Sequence, residues 1–213
     1  MKRLALYVLL ALLVTPACSW AQNRVITFAG DSIMVGTSAS QSRLAMIGRL
    51  TNLQPTWFVQ NYSYGGASIS GEVFAGVQIP AMDATAIANL DARDDVILLG
   101  VNDWSFSNSL ATFQTNYTNL LNTLAASPEG APKIICVTPI WNIGEGQPNA
   151  NGNTLADFRT AITNVCTAAG YPVINGLPLV PNNAANFVDG THPNDVGYSH
   201  YAPNLAAALG PLL

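Results

Sequence analysis

The amino-acid sequence predicts an α/β fold, a three-layer αβα sandwich in which helices cover both faces of a parallel sheet. Two observations lead to this fold class. Short apolar runs rich in β-branched residues recur along the chain, and segments with apolar residues every three or four positions separate them. Parallel neighbours in a sheet need crossovers of that length, and such crossovers are nearly always right-handed. The 213 residues are therefore expected to form one domain of this kind.

Five apolar runs of four to six residues predict the strands of the sheet. They cover residues 25–29, 57–62, 95–100, 133–138 and 171–174. Helical periodicity predicts helices over residues 43–53, 110–124, 155–169 and 198–209. Pro203 is expected to kink or shorten the last helix, because proline has no N–H to donate. The stretch 139–153, rich in Gly, Asn and Pro, predicts a long loop that borders a functional site.

The N-terminus has the order of a secretory signal peptide. Two basic residues precede an apolar run over residues 4–14, and small residues follow. We expect cleavage after Ala21, so that residues 1–21 are the signal peptide and residues 22–213 the mature domain. The mature protein is then secreted or periplasmic, with no stable membrane insertion. Lipid attachment at Cys18 and an uncleaved anchor helix are the alternatives.

Composition excludes two classes of protein. Hydrophobic residues make up 49% of the chain, which excludes a disordered protein. The net charge is −4 with 9% charged residues, and no run of Lys or Arg follows the N-terminal pair. A nucleic-acid-binding surface needs such a run or patch, so nucleic acid is not an expected partner.

Two cysteines, Cys136 and Cys166, remain after removal of the signal peptide. Oxidation is permitted in an exported chain, so the pair forms either one disulfide or two separate buried thiols, and both alternatives stand at this point. Neither cysteine belongs to a CxxC motif, and the two histidines, His192 and His200, are a sparse ligand set. No metal site is predicted.

The residues that follow predicted strands are the candidates for chemistry, because doubly wound sheets bind ligands outside the carboxyl ends of their strands. Gly30-Asp31-Ser32 follows the first strand, which makes Ser32 a candidate nucleophile and, alternatively, a helix cap. Gly66 follows the second strand, and its N–H can approach a ligand unobstructed. Asn102 follows the third and offers an amide donor. Ordinary turns are the alternative interpretation of both.

A carboxylate and an imidazole lie three residues apart near the C-terminus, as Asp189 and His192. Asp189 can accept a hydrogen bond from Nδ1–H of His192, which leaves Nε2 free to take the proton of Ser32 during attack on a carbonyl. An isolated pair at this spacing is more often a capping turn. Here the serine, the glycine, the asparagine and the pair all fall where a parallel sheet brings them to one edge. His200 is expected to be a surface or packing residue.

In order and spacing these motifs resemble the sequence blocks of the SGNH hydrolases, also called GDSL esterases and lipases. Gly30-Asp31-Ser32 resembles the first block, residues 61–66 the second, Gly100-Val101-Asn102-Asp103 the third and residues 189–194 the fifth. The resemblance covers essentially the whole mature chain. One departure is Ser63, which stands where many members have glycine.

The resemblance implies a flavodoxin-like five-stranded sheet in the order 2-1-3-4-5, with no metal or organic cofactor. It also implies roles for the site residues. Ser32 would be the nucleophile, His192 the base and Asp189 the group that orients the base. The N–H groups of Ser32 and Gly66 and the side chain of Asn102 would form the oxyanion hole.

The function expected on these grounds is a secreted serine esterase that acts on small-molecule or glycan esters, with short acyl groups such as acetyl on a carbohydrate or another polar alcohol. Trp104 and Trp141 are expected to line the pocket mouth, with core packing as the alternative. The amide-rich segments 141–153 and 182–186 suit hydrogen bonding to carbohydrate. The alternatives are a lipase, lysophospholipase or thioesterase for longer acyl chains, an acyltransferase, and a non-catalytic carbohydrate-binding protein on the same fold.

Overall fold

A five-stranded parallel sheet forms the centre of the molecule. The computed structural model describes residues 24–74 and 76–213, so the predicted signal peptide lies outside the described residues. The strands are β1 (Arg24–Gly30), β2 (Trp57–Ser63), β3 (Asp94–Leu98), β4 (Lys133–Val137) and β5 (Val173–Ile174). Their spatial order is β2-β1-β3-β4-β5, and every neighbouring pair is parallel. The fold class and the strand order predicted from the sequence are confirmed.

Helices cover both faces of this sheet. They are α1 (Ser32–Val35), α2 (Met46–Leu53), α3 (Ala84–Ala88), α4 (Val101–Ser105), α5 (Leu110–Ala125), α6 (Leu155–Ala168) and α7 (Asp195–Leu209). On one side α2 packs against α7, and on the other α5 packs against α3 and α6. Helix α5 forms because its apolar residues recur at helical spacing, and Phe113, Tyr117 and Leu121 lie buried against the sheet.

Several predicted element boundaries needed correction. The helix predicted over residues 43–53 begins at Met46, and the last helix begins at Asp195 rather than at position 198. Strand β3 ends at Leu98 rather than at position 100, because Gly100 has a φ of +121° and begins helix α4. Strand β5 is only two residues long. Helix α7 runs through Pro203 without being shortened, since buried Tyr198 and Leu205 hold the turns on either side of the proline against the core.

The sequence patterns did not predict an antiparallel hairpin, formed by Glu72–Phe74 and Val77–Ile79, that follows β2. In the second of its strands Val77 and Gln78 are both exposed and Ile79 is half-buried, so this strand lacks the alternation between buried and exposed residues that marks a strand in sequence.

Two covalent or charged links join parts of the chain that are distant in sequence. Cys136 of β4 and Cys166 of α6 form a disulfide, which decides between the two alternatives left open for these cysteines. At the N-terminal ends of β1 and β3, Arg24 forms a salt bridge with the buried Asp94. Within the described residues, no helix is long and apolar enough to cross a membrane.

Candidate active site

Three strands of the sheet end in the same row, and this places their following residues together. Gly30, the last residue of β1, is paired with Ser63 of β2 on one side and with Leu98 of β3 on the other. The motifs that contain Ser32, Gly66 and Asn102 begin directly after this row. The predicted convergence of the three motifs at one edge of the sheet therefore holds.

Asp31, and not Ser32, caps the short helix that follows β1. Its Oδ1 accepts a hydrogen bond from the N–H of Ile33 over 2.9 Å. Asp31 is 3% exposed, and burial raises its pKa to about 7 against the opposing effect of that hydrogen bond. Because Asp31 takes the capping role, the Ser32 hydroxyl is free to make a different contact.

The Ser32 hydroxyl faces the imidazole of His192. Ser32 Oγ and His192 Nε2 are 2.8 Å apart, and His192 Nδ1 lies 2.7 Å from Asp189 Oδ2. The three side chains thus form one hydrogen-bonded chain across 160 residues of sequence. The geometry is that of a nucleophile, a general base and a carboxylate that orients the base.

The charge on Asp189 fixes the tautomer of the neutral His192 ring. Partial burial raises the pKa of Asp189, but hydrogen bonds from the main chain and ring of His192 and from the N–H of Thr191 outweigh it and lower the pKa to about 2. At neutral pH this carboxylate therefore accepts hydrogen bonds only, and Nδ1 must donate to it. In the neutral ring Nε2 is then an acceptor, positioned for the Ser32 proton.

The turn that carries the carboxylate and the imidazole is held by local contacts. Asp189 Oδ1 accepts from the N–H groups of Thr191 and His192 at 3.0 and 2.8 Å. Gly190 has a φ of +83°, and a Cβ there would lie 2.3 Å from Ile143. Glycine is therefore required at this position both for the backbone conformation and for the close approach of the neighbouring loop.

Two further candidate donors follow β2 and β3, the strands on either side of β1. Gly66 occupies a tight turn with φ of +76°, closed by a hydrogen bond from the N–H of Ala67 to the carbonyl of Tyr64. Asn102 Nδ2 donates to the carbonyl of Ala67 over 2.9 Å, which leaves its second amide hydrogen for another acceptor. The N–H of Ser32 itself stands at the first position of a helix, where it has no acceptor within the helix.

The two tryptophans expected at the pocket mouth are half-buried and have protein contacts. Trp104 Nε1 donates to the carbonyl of Gln147, and the loop around Gly144 lies against its ring. Trp141 packs against Phe187 with ring centroids 5.2 Å apart, and it lines a small interior cavity of about 20 Å³ together with Asp31. Packing against other parts of the protein therefore accounts for much of the buried surface of both tryptophans.

The amide-rich segments also use their side chains internally. Asn149 and Asn151 bond to the backbone of their own loop and of residues 104–108, and Asn183 and Asn186 bond to the backbone of 181–185. These amides shape the loops that border the site. The number of amides in the two segments is therefore weaker support for a carbohydrate substrate than the sequence alone indicated.

The sequence did not predict one contact that holds α1, the short helix that begins with Ser32. The buried hydroxyl of Tyr198 in α7 donates to one of two carbonyls within reach, those of Ile33 at 2.9 Å and Thr37 at 3.0 Å. The sequence indicated only that Tyr198 belongs to the apolar face of the last helix, and nothing in that pattern signals where its hydroxyl bonds. Among the described residues, no cluster of three His, Cys, Asp or Glu residues is suited to hold a metal ion.

Comparison with protein-family models finds a match over most of the chain. Residues 28–200 match the model of the GDSL-like lipase/acylhydrolase family. No curated protein sequence matches the chain.

Several solved structures share the fold. A carbohydrate acetylesterase family member from Sinorhizobium meliloti has a TM-score of 0.72 at 15% identity, over 89% of this chain and 99% of that one. A family two carbohydrate esterase from Clostridium thermocellum, in complex with cellohexaose, has a TM-score of 0.68 at 17% identity, over 90% of this chain and 65% of that one. A salicylyl-acyltransferase from a tetracycline biosynthetic pathway has a TM-score of 0.72 at 18% identity, over 89% of this chain and 56% of that one. The chain thus spans less than two thirds of the last two proteins, and at these identities the likeness establishes the fold alone.

Proposed function

The chain belongs to the GDSL-like lipase/acylhydrolase family and is a hydrolytic enzyme, and from this premise we propose that it cleaves carboxylic esters through Ser32, His192 and Asp189. The observation that carries the proposal is the hydrogen-bonded chain from Ser32 Oγ through the His192 ring to the Asp189 carboxylate. A serine hydroxyl is a weak nucleophile until a base within hydrogen-bond distance removes its proton, and His192 Nε2 meets that condition.

Hydrolysis then proceeds in two steps. Ser32 Oγ attacks the ester carbonyl while His192 takes its proton, and the negative oxygen of the tetrahedral intermediate is held by the N–H groups of Ser32 and Gly66 and by Asn102 Nδ2. The intermediate collapses to an acyl-serine as His192 returns the proton to the leaving alcohol. Water, deprotonated by His192, attacks the acyl-serine and releases the acid.

The substrates proposed are short acyl esters, such as acetyl esters, of a carbohydrate or another polar alcohol. Two of the similar structures are described as carbohydrate esterases, which supports this class.

The exposed aliphatic side chains of Ile143 and Val188, each 64% exposed, favour the alternative of longer acyl chains. They flank the turn that carries Asp189 and His192, where an acyl chain would find apolar contact.

Initial rates on p-nitrophenyl acetate, butyrate, octanoate and palmitate test the proposal, with Ser32→Ala as the control. We expect the rate to fall steeply with chain length and to reach background in the control. A maximum at octanoate or beyond would favour a lipase, lysophospholipase or thioesterase. No turnover of any ester would favour a non-catalytic carbohydrate-binding protein.

Transfer and hydrolysis share the acyl-serine and differ in what attacks it. We therefore propose to separate them by product analysis, with p-nitrophenyl acetate as donor and cellobiose as acceptor. Free acetate as the dominant product supports the hydrolase. Acetylated cellobiose in excess of acetate would identify an acyltransferase.

Export is the second part of the proposal. The order of residues in positions 1–21 and the disulfide between Cys136 and Cys166 both suit a secreted or periplasmic protein, because disulfides persist in oxidising compartments. The intact mass of the exported protein tests it. A chain that begins at Gln22 is expected, and a lipid-modified chain that begins at Cys18 would overturn the cleavage site.

A further inference from the structure

The side-chain amide of Asn142 is hydrogen-bonded at both ends. Its Nδ2 donates to Oγ1 of Thr191 over 2.8 Å, and its Oδ1 accepts from the N–H of Gly144 over 2.8 Å. Asn142 is 5% exposed. One partner accepts and the other donates, so the orientation of this buried amide is fixed.

Thr191, the acceptor of this bond, lies between the carboxylate and the imidazole of the site. Its own N–H donates to Asp189 Oδ1 over 3.0 Å. One residue earlier in the same turn, the carbonyl of Gly190 accepts from the N–H of Ile143 over 2.9 Å. Residues 142 and 143 therefore hold the Asp189–His192 turn at two consecutive positions.

The loop that makes these contacts is itself anchored. The guanidinium of Arg159, in α6, donates to the carbonyls of Pro139 and Ile140 and to the carboxylate of Glu145, each at 2.8 Å. The disulfide between β4 and α6 joins the two elements from which the loop and this arginine extend. Asn142 thus connects the turn to a fixed part of the fold.

We propose that Asn142 is a positioning residue for catalysis, which acts by holding the Thr191 hydroxyl and with it the turn that presents His192 to Ser32. This inference rests on the proposed esterase function. The distance of 2.8 Å between Ser32 Oγ and His192 Nε2 is set across two separate segments of chain, and the main-chain bonds within the turn do not connect these segments. Loss of the Asn142 contact lets the turn shift relative to Ser32.

The first experiment compares Asn142→Ala, Thr191→Val and the double variant with the wild type on p-nitrophenyl acetate. A misplaced catalytic group lowers kcat with little effect on substrate binding, so we expect kcat to fall about tenfold to a hundredfold and KM to change less than about twofold. The double variant should fall no further than the single ones, because both remove the same hydrogen bond.

Asn116→Ala is the matched control. Asn116 in α5 also donates from an amide to a serine or threonine hydroxyl over 2.8 Å, and its acceptor, Ser70, lies outside the Asp189–His192 turn. We expect this variant to keep the wild-type kcat while losing the same kind of hydrogen bond.

A second readout is the rate at which an organophosphorus fluoridate inactivates the enzyme, since that reaction also needs Ser32 activated by His192.

A conservative variant separates positioning from general stability. In Asn142→Asp the carboxylate still accepts from Gly144 and can accept from the Thr191 hydroxyl, so the link to the turn is restored with reversed polarity. We expect this variant to regain most of kcat, while Asn142→Leu, of similar volume, does not. The thermal midpoints of all variants are measured in parallel.

The outcomes distinguish this inference from the proposed function. Full kcat in Asn142→Ala beside an active wild type overturns the positioning role alone. A loss of kcat that follows the loss of stability across the series, with no recovery in Asn142→Asp, also overturns it. A wild type that neither turns over esters nor reacts with the fluoridate overturns the proposed function, and the positioning role with it.

Discussion

The side-chain amide of Asn102 donates a hydrogen bond to the carbonyl of Ala67, 2.9 Å away, and so joins the residue after β3 to the glycine turn after β2. The adjacent residue continues the connection, because the buried carboxylate of Asp103 accepts from the N–H of Ile69 at 3.1 Å. Two consecutive side chains of α4 thus hold the turn that presents the Gly66 N–H. Two of the three proposed oxyanion donors are fixed relative to one another before substrate binds.

Removal of the Asn102 amide is the first prediction. In Asn102→Ala the oxyanion loses one donor and the turn loses one anchor, so kcat should fall by about two to three orders of magnitude with a much smaller change in KM. Steady-state kinetics on p-nitrophenyl acetate measure both constants. Wild-type kcat in this variant would exclude Asn102 as an oxyanion donor.

Asp189→Asn is the second prediction. The amide can present its NH2 to Nδ1 of His192 and stabilise the tautomer that protonates Nε2, which cannot accept the proton of Ser32. We expect kcat to fall at least about a hundredfold, while circular dichroism at pH 7 stays near wild type because Asp189 is half exposed and its substitution leaves the core intact. Unchanged kinetics would show that Asp189 does not orient the base.

The acid stability of the protein gives a third prediction from the same residue. Its pKa in the folded protein, about 2, is below the ordinary value of 3.8, so the unfolded chain binds the proton first as pH falls. The stability that Asp189 contributes is therefore complete above about pH 4 and is lost between about pH 4 and 2. Urea unfolding should give a difference between wild type and Asp189→Asn that shrinks over this window. A difference that is constant from pH 5 to pH 2 would contradict the lowered pKa.

The sequence predicted the site better than it predicted the contacts that support it. Ser32 and Asn102 could be expected close together because the parallel strands that precede them end in one row, so position after a strand already indicates where a residue lies in space. The signal for His192 was its spacing of three residues from Asp189. Asn142 could not be identified. It is one of several asparagines in an amide-rich loop, and only the folded chain distinguishes the one that reaches Thr191.

The disulfide is a second contact that the sequence alone could not predict. Cys136 lies in a predicted strand and Cys166 in a predicted helix, and both side chains are fully buried. Burial alone suits a thiol as well as a disulfide, so the alternatives differ only in the relative placement of β4 and α6. That placement depends on how the long loop between them folds, and no local pattern in the sequence determines it.

Reduction of this disulfide is the fourth prediction. The bond closes a loop with a sequence separation of 30, and loop-closure entropy assigns such a crosslink about 3 to 4 kcal/mol of stability. Thermal unfolding with and without dithiothreitol should show a midpoint lower by roughly 10 °C in the reduced protein. The double variant Cys136→Ala/Cys166→Ala serves as the control, since its midpoint should not respond to the reductant. Equal midpoints for oxidised and reduced wild type would contradict the crosslink.

A buried carboxylate near the N-terminal end of β3, at the end of the sheet away from the candidate active site, gives the fifth prediction. Asp95 in β3 is 1% exposed, its Oδ1 has no hydrogen-bond partner, and burial followed by the nearby charge of Asp94 raises its pKa to about 7. In the unfolded chain it ionises near 3.8. Between these two values the folded state holds a proton that the unfolded state has lost, so stability declines as pH rises from about 4 to 7.

Asp95→Asn removes this penalty, because the amide stays neutral at every pH. We expect the variant to match the wild type near pH 4 and to exceed it by at least about 1 kcal/mol at pH 8, roughly 2 to 4 °C in the thermal midpoint for a chain of this size. Asp91→Asn, at an exposed position nearby, is the control and should leave the pH dependence of stability as it is in the wild type. A gain that is equal at pH 4 and pH 8 would mean that Asp95 does not titrate in this range, and a loss at both would mean that the amide is itself poorly accommodated in β3.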